Sequence, residues 1–373
     1  MTGGAGVSVV VPAKESNDTL PVLFRSLDRA RAELEAPSEV IVVDDSAPES
    51  QAELERLCRT HDVRLLAGGP HVGAKRNLGA AAASFEILLF VDSDCEASQP
   101  LLREHWSAHV LDGADACAGP VEFVGPRSWL WPAMDLLGLT VTFALPAVLS
   151  RLDWAPTANL SVSRRRFEEV GGFDETLPSP GGSEDVDLGL RLAGLGVGIL
   201  CNPRAVACHS TSTWSSPLGM MRRLARYGRS EPRLIERHHE RSVLVFPGHL
   251  ALVIAGALLW LAVGLLGRPG PGPLLAALFV VAYWAIWGSR VFQFGWPGPE
   301  MALALAVSAV LDMAHEAGRL AGAWVRGHPA WMVRRLVGGV SQFPSEWTGG
   351  VARTWSWTLA TALCAAVWVA ATR

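Results

Sequence analysis

Apolar residues in the first part of the chain fall into short runs that alternate with longer amphipathic stretches. Val7-Ser-Val-Val-Val-Pro12 reads as a strand, and residues 19–36 repeat Leu20, Leu23, Phe24, Leu27 and Leu34 at helical spacing. Val40-Ile-Val-Val-Asp44 predicts a second strand, residues 49–60 a second helix, 63–67 a third strand, 72–83 a third helix and Ile87-Leu-Leu-Phe-Val91 a fourth strand. Strands that are apolar on both faces and separated by helices predict an α/β fold, with a mostly parallel sheet covered by helices.

The pattern changes near residue 240, which predicts a soluble domain over 1–240 and a membrane region over 241–373. Residues 242–267 carry no charge and are long enough to cross about 30 Å of hydrocarbon as a helix. Residues 274–289 and 354–372 are further candidate spans. Residues 301–325 fit a span or an interfacial amphipathic helix, because Asp312, His315 and Glu316 interrupt them. Three to four transmembrane or interfacial helices are therefore expected.

Charge follows the same division. From Arg241 to the end there are nine Arg, four acidic residues and no Lys. Seven Arg against three Glu between Arg222 and Arg241 place the preceding domain in the cytoplasm by the positive-inside bias. This segment either sets topology alone or also docks on anionic headgroups. The expected location is thus the cell membrane, multi-pass, with membrane lipids as partners. The net charge of −4 argues against a nucleic-acid binder. Six Cys without a Cys-X-X-Cys pair read as small buried hydrophobes. The N-terminus has no basic n-region or long apolar h-region, so no cleaved signal is expected.

Open parallel sheets bind ligands beyond the carboxyl ends of their strands, and acidic residues fall there. Asp44-Asp45 ends the second strand and Asp92-Ser93-Asp94 the fourth. Either pair alone could merely cap the next helix. Two on one rim favour a site.

These stretches, with four more, resemble glycosyltransferase family 2 in order and spacing. The motifs are Val9-Val-Val-Pro-Ala-Lys-Glu15, Val42-Val-Asp-Asp-Ser46, Gly73-Ala-Lys-Arg-Asn-Leu-Gly79, Asp92-Ser-Asp94, Val170-Gly-Gly-Phe-Asp-Glu175 and Ser183-Glu-Asp-Val-Asp-Leu188. The resemblance covers residues 7–227 and implies a GT-A fold that uses a nucleoside-diphosphate sugar. It implies that Pro12 and Glu15 lie where the base is seated and that Asp44 or Asp45 accepts hydrogen bonds from base or ribose. Arg76 is implied at the diphosphate, with Lys75 leaving open which of the two basic residues faces phosphate.

In the motif that Asp92-Ser-Asp94 resembles, the first carboxylate meets ribose and the second holds a divalent cation, Mg²⁺ or Mn²⁺. His209 is a candidate further ligand or a structural His. The resemblance places Glu184 and Asp185 in the motif that carries the general base, and Asp185 is the residue chosen for it. Asp187 is expected to orient that loop or a helix starting at Leu188. Base and departing diphosphate on opposite sides of the sugar imply a single displacement with inversion.

Trp154-Ala-Pro-Thr-Ala-Asn159 corresponds to the acceptor side, where Trp154 stacks on a sugar or fills core. Residues 129–149 form a hydrophobic stretch, read either as a membrane-apposed or acceptor-lining helix pair or as core. Arg223-Leu-Ala-Arg226-Tyr227 is similar to the family's Gln/Arg-X-X-Arg-Trp element, with Tyr in place of Trp, which favours addition of one or a few sugars. The following Gly228-Arg-Ser230 is similar to mycofactocin-type members. The acceptor implied is a hydroxyl on a lipid, glycan or small molecule. A sugar-phosphate nucleotidyltransferase would need a Gly-rich loop where the chain reads Pro12-Ala-Lys-Glu-Ser-Asn. A noncatalytic scaffold would be expected to lose Asp94 and Asp185, and a transporter to carry more intramembrane charge.

Overall fold

A computed structural model describes residues 5–179, 182–244 and 299–336. The described residues form two compact units, one from those up to Arg127 with Thr140–Ser216, the other from Ser128–Leu139 with those from 217 to 336. Its first elements are β1 (Val7–Ala13), α1 (Leu20–Ala32), β2 (Ser38–Asp44), α2 (Pro48–Thr60), β3 (Arg64–Ala67), α3 (Val72–Ala82) and β4 (Ile87–Val91). All seven fall where the apolar runs placed them. β5 (Cys95–Ala97), α4 (Leu101–Val110), β6 (Ala116–Ala118) and β7 (Val121–Val124) follow, then α5 (Trp131–Leu136), which belongs to the second unit. α6 (Val141–Ala144), β8 (Arg151–Leu152), β9 (Asn159–Ser163), α7 (Arg164–Glu169), α8 (Glu184–Gly194), β10 (Ile199–Cys201) and β11 (Ala207–Ser210) complete the first unit.

Its main sheet runs β3-β2-β1-β4-β9-β6-β10-β8. β1 pairs in parallel with β2 and β4, and β2 with β3. Val9, Val10, Val11, Leu88, Leu89 and Phe90 are fully buried, each contributing about 1.5–3 kcal/mol through removal from water. Helix α3 lies so close to this layer that a Cβ on Gly79 would overlap Val10. Its N-terminus, with Lys75 and Arg76, is thereby held at the rim where the parallel strands end.

β9 departs from the parallel pattern, since it is antiparallel to both β4 and β6 and its register sets Val91 opposite Asn159. The segment that enters β9, carrying Trp154, therefore arrives at the rim from which Asp92 leaves. A second sheet, β5-β11-β7, pairs His209 with Cys95 and with Phe123.

The second unit contains α5, α9 (Pro217–Arg237), β12 (Ser242–Leu244), α10 (Pro299–Val325) and β13 (Arg334–Leu336). α9 and α10 pack at three glycines, where a Cβ on Gly228, Gly318 or Gly322 would strike the carbonyl of His315, Ala225 or Arg229. This close approach places α9 in the second unit, although the sequence boundary at 240 puts it with the first. Glu231, Glu316 and Arg319 are buried in this unit.

Among the described residues no helix is long and apolar enough to cross a membrane. Residues 301–325 lie within α10, whose Glu316 and Arg319 are only 2% and 3% exposed and whose Arg335 partner ion-pairs with Asp312, so the charges that break the hydropathy pattern serve packing. Of the candidate span over 242–267, Ser242–Leu244 form a strand, and the rest, like the candidates over 274–289 and 354–372, lies outside the described residues.

Candidate active site

The acidic stretches singled out from the sequence meet around α3. Arg76 is 3% exposed, and its two terminal nitrogens reach in different directions. Nη2 donates to Asp92 Oδ1 at 2.8 Å, and Nη1 donates to Glu184 Oε1 at 2.8 Å. The ring of Phe173 lies 5.5 Å from the guanidinium carbon. Burial works against the charge of Arg76, but Asp92 and Glu184 outweigh it and raise its pKa.

Lys75 is buried too, at 4% exposed. Its Nζ donates to the carbonyl of Ala13 at 2.6 Å and is paired with Asp45 Oδ1. Burial pushes the Asp45 carboxyl up, yet Lys75 and Lys14 prevail and hold it below its ordinary value. Both basic residues of this helix turn are thus paired with carboxylates, Lys75 with Asp45 and Arg76 with Asp92 and Glu184.

Helix α8 begins at Glu184 and not at Leu188, so Glu184, Asp185 and Asp187 all lie in its first turn. Ser183, just before it, adopts φ +65°, a strained conformation for a residue with a side chain. Glu184 Oε2 accepts from the Gly182 amide at 2.9 Å. Asp187 is 1% exposed and binds Arg191 one turn on, at 2.8 Å from Nε, which anchors the helix. Asp185 accepts at 2.8 Å from the Val186 amide and has no ion pair of its own among the described residues. Burial raises its pKa to about 7, Glu184 adds to the rise, and Arg76 counters part of it. A carboxyl poised near neutrality suits a general base.

Asp94 and His209 come together through the pairing of β5 with β11. His209 Nε2 lies 3.2 Å from Asp94 Oδ1, and Thr213 donates to Asp94 Oδ2 at 3.0 Å. His209 Nδ1 is 2.9 Å from the Ser210 carbonyl, which can only accept, so Nδ1 carries the hydrogen. In a neutral ring the Nε2 lone pair then faces a carboxylate oxygen. Burial raises the Asp94 carboxyl above its ordinary value, Asp92 adds to this, and His209 and Thr213 offset part. Two acceptors facing each other across 3.2 Å fit a divalent cation, which would satisfy both. Cys95 completes a group of three possible donors within 4.8 Å of one another. Its thiol is held protonated by burial and by Asp92 and Asp94, which makes it a poor ligand for a hard cation.

The other expected site residues have the following surroundings. Glu15, at φ +48°, accepts from the Ala47 amide at 2.6 Å and from Ser50 at 2.7 Å, so it caps α2, whose own cap position is Ala47. These bonds lower its pKa. Pro12 is buried within β1 opposite Val43. Asp44 accepts from Ser46 and from Gln51 at 3.0 Å. Asn159, expected on the acceptor side, is 1% exposed and donates to Pro120 and Ala205 while accepting from His105, so its amide is fully committed inside the sheet. Trp154 is half-buried, and its backbone touches α8 at Gly189, where a Cβ would overlap it. Arg223 and Arg226 lie in α9, in the second unit. Thr213 and Phe173 were not anticipated, although the polar run His209-Ser-Thr-Ser-Thr213 was a usable signal.

Residues 8–169 match the model of a protein family described as glycosyl transferase family 2. Residues 8–169 are thus a glycosyl transferase family 2 domain. A pre-mycofactocin glycosyltransferase of Mycobacterium tuberculosis is 30% identical over 253 residues, covering 65% of this chain and 50% of the relative. A validoxylamine A glucosyltransferase of Streptomyces hygroscopicus is 26% identical over 266 residues, covering 61% of this chain and 62% of that protein. The chain thus spans about half the length of the mycobacterial relative. A mannosyltransferase from Pyrobaculum calidifontis, solved with GDP-Man and Mn²⁺, superposes with a TM-score of 0.51 at 18% identity over 86% of this chain and 87% of that one, a likeness of fold.

Proposed function

We propose that the protein is an inverting glycosyltransferase that moves a sugar from a nucleoside-diphosphate sugar to a hydroxyl acceptor, at the cytoplasmic face of a membrane. The observation that carries this reading is the bridge from Arg76 to Asp92 and Glu184, which sets the general-base turn against the Asp92-Ser93-Asp94 loop. Asp185 takes the proton of the acceptor hydroxyl as its oxygen bonds to the anomeric carbon. The bond from that carbon to the diphosphate oxygen breaks on the opposite side, and the nucleoside diphosphate leaves with the electron pair. Asp94 and His209 are the residues that would hold the cation, and when bound it would offset charge on the diphosphate. The donor class and the cation are supported by the Pyrobaculum enzyme, which was solved with GDP-Man and Mn²⁺.

The acceptor side is assigned to the Trp154 segment, next to α8. The acceptor is a lipid, glycan or small-molecule hydroxyl, and the relatives named for pre-mycofactocin and validoxylamine A favour a small molecule. Membrane attachment rests on the uncharged stretches of the sequence and the seven Arg between Arg222 and Arg241. The test is a panel of labelled nucleotide sugars given to membranes holding the full chain, with Mn²⁺ or Mg²⁺ and candidate acceptors. Transfer by the native chain, with loss in Asp185→Asn, is expected; a native chain that consumes no nucleotide sugar overturns the reading. Protease added to right-side-out vesicles should spare the first 240 residues, and their digestion would reverse the topology.

A further inference from the structure

Arg76, expected at the diphosphate, is with Lys75 one of two deeply buried basic side chains of the site. Arg76 spans two carboxylates that are 16 and 108 positions away in the chain, with both terminal nitrogens at 2.8 Å. A guanidinium is planar and offers donors in a fixed fork, so placing one end fixes the other. Its Nε, buried as well, has no hydrogen-bond partner among the described residues. Phe173 backs the group, and the Phe173 amide and carbonyl are themselves held by Asn77, the residue after Arg76. Asn77 and Arg76 thus brace the same helix turn against two separate loops.

We propose that Arg76 is a positioning residue that locks the first turn of α8, and with it Asp185, to the Asp92 loop, so that base and nucleotide-binding carboxylates move as one body. This rests on the transfer reading above. A cation so enclosed leaves diphosphate recognition to other groups. Glu184 acts as the other end of the strut, since its second oxygen is taken by the Gly182 amide just before the helix. The charged groups that face Asp185 are Glu184 on its own helix, Arg76 on α3 and Asp92 after β4. Glu184 and Asp92 disfavour its ionised form, and Arg76 favours it.

The test compares Arg76→Gln, Arg76→Lys, Glu184→Gln and the Arg76→Gln/Glu184→Gln double variant in the full chain. Three quantities are read: kcat and donor KM across pH, binding of a free nucleoside diphosphate, and the thermal midpoint. Arg76→Gln should lower kcat by about a hundredfold with a smaller rise in donor KM, as expected for misplacing a base. Its acid limb should move to higher pH, that of Glu184→Gln to lower pH, and the double variant should return toward the native limb. Arg76→Lys, which keeps the charge but not the fork, should keep the native limb while losing kcat. The thermal midpoints of the cycle should be non-additive, and this readout needs no substrate. Loss of nucleoside diphosphate binding by a hundredfold in Arg76→Gln, with additive midpoints, would overturn the strut in favour of a phosphate contact. Unmoved acid limbs in an active set would overturn the positioning role. A set in which even the native chain consumes no nucleotide sugar would defeat the transfer reading, and the strut would then stand or fall on the midpoints.

Discussion

The Nε2 atom of His209 lies 3.2 Å from Oδ1 of Asp94, and the other ring nitrogen is committed to the Ser210 carbonyl. The pairing of β5 with β11, in the second sheet, brings the two together. The relationship predicts that Mn²⁺ binding, read by the loss of its free electron-spin signal, weakens by at least about tenfold in His209→Ala and in Asp94→Asn. Cys95→Ser should leave binding within about twofold, because the thiol stays protonated. Equal binding by native chain and His209→Ala would remove His209 from the cation site.

Asp185 links activity and stability with opposite signs. Its carboxyl is raised to about 7 in the fold from an ordinary 3.8, so the folded chain holds a proton that the unfolded chain releases. Stability from this group is therefore present below about pH 4 and declines as pH rises to about 7, by on the order of 2–4 kcal/mol. Asp185→Asn removes that decline. It should lower kcat by at least about a hundredfold and yet melt above the native chain at pH 8, with the difference vanishing near pH 4. The kcat/KM of the native chain should rise with pH through about 7. A pH-independent melting difference would show that burial is not what raises Asp185.

Much of the first unit was readable because its physics is local. β1 through β4 are runs buried on both faces, and their rim follows from strand direction alone, so Asp92, Asp94 and the Asp44-Asp45 pair were correctly placed at strand ends. What escaped were decisions made by partners distant in sequence. Arg76 and Lys75 looked alike in one helix turn, and only Ala13, Asp45, Asp92 and Glu184 show that both are consumed. Asn159 occupied a position suggestive of ligand contact, but the antiparallel insertion of β9 buries it under His105. Glu15 seemed to face the base, while the unprotected N-terminus of α2 claims its carboxylate.

Gly119 tests the frame behind the site. A Cβ there would overlap the Ala205 carbonyl and sit 2.6 Å from Asn159 Nδ2, at the point where β6, β9 and the segment before β11 converge. Neither neighbour is a flexible side-chain end, since Asn159 is held by three bonds. Gly119→Ala should destabilise the chain by about 3 kcal/mol or more, measured by urea unfolding. Gly113→Ala has open space around it and pays only for a φ of +67°, so about 1 kcal/mol is expected.

His105 and His109 form a buried pair whose hydrogens can be counted. Asn159 Nδ2 donates to two carbonyls, which leaves Oδ1 as the acceptor for His105 Nε2 at 2.8 Å. In a neutral ring His105 Nδ1 then accepts from Ser161 Oγ at 2.8 Å, the nearer of that hydroxyl's two acceptors with the Cys117 carbonyl at 3.3 Å, and His109 Nε2 donates to the same oxygen at 2.8 Å. The network closes with both rings neutral, and burial lowers each pKa from 6.5 to about 4. The unfolded chain takes up protons below about 6.5 that the folded chain refuses until about 4. Stability is therefore lost as pH falls through this window, by about 1.4 kcal/mol per pH unit for each ring at most. Asp185 titrates in the opposite sense over part of the same range, so the measurement belongs in the Asp185→Asn background. There, urea midpoints between pH 6.5 and 5 should fall steeply, and His109→Gln should remove about half of the slope. An unchanged slope in that variant would mean that the loss arises outside this pair.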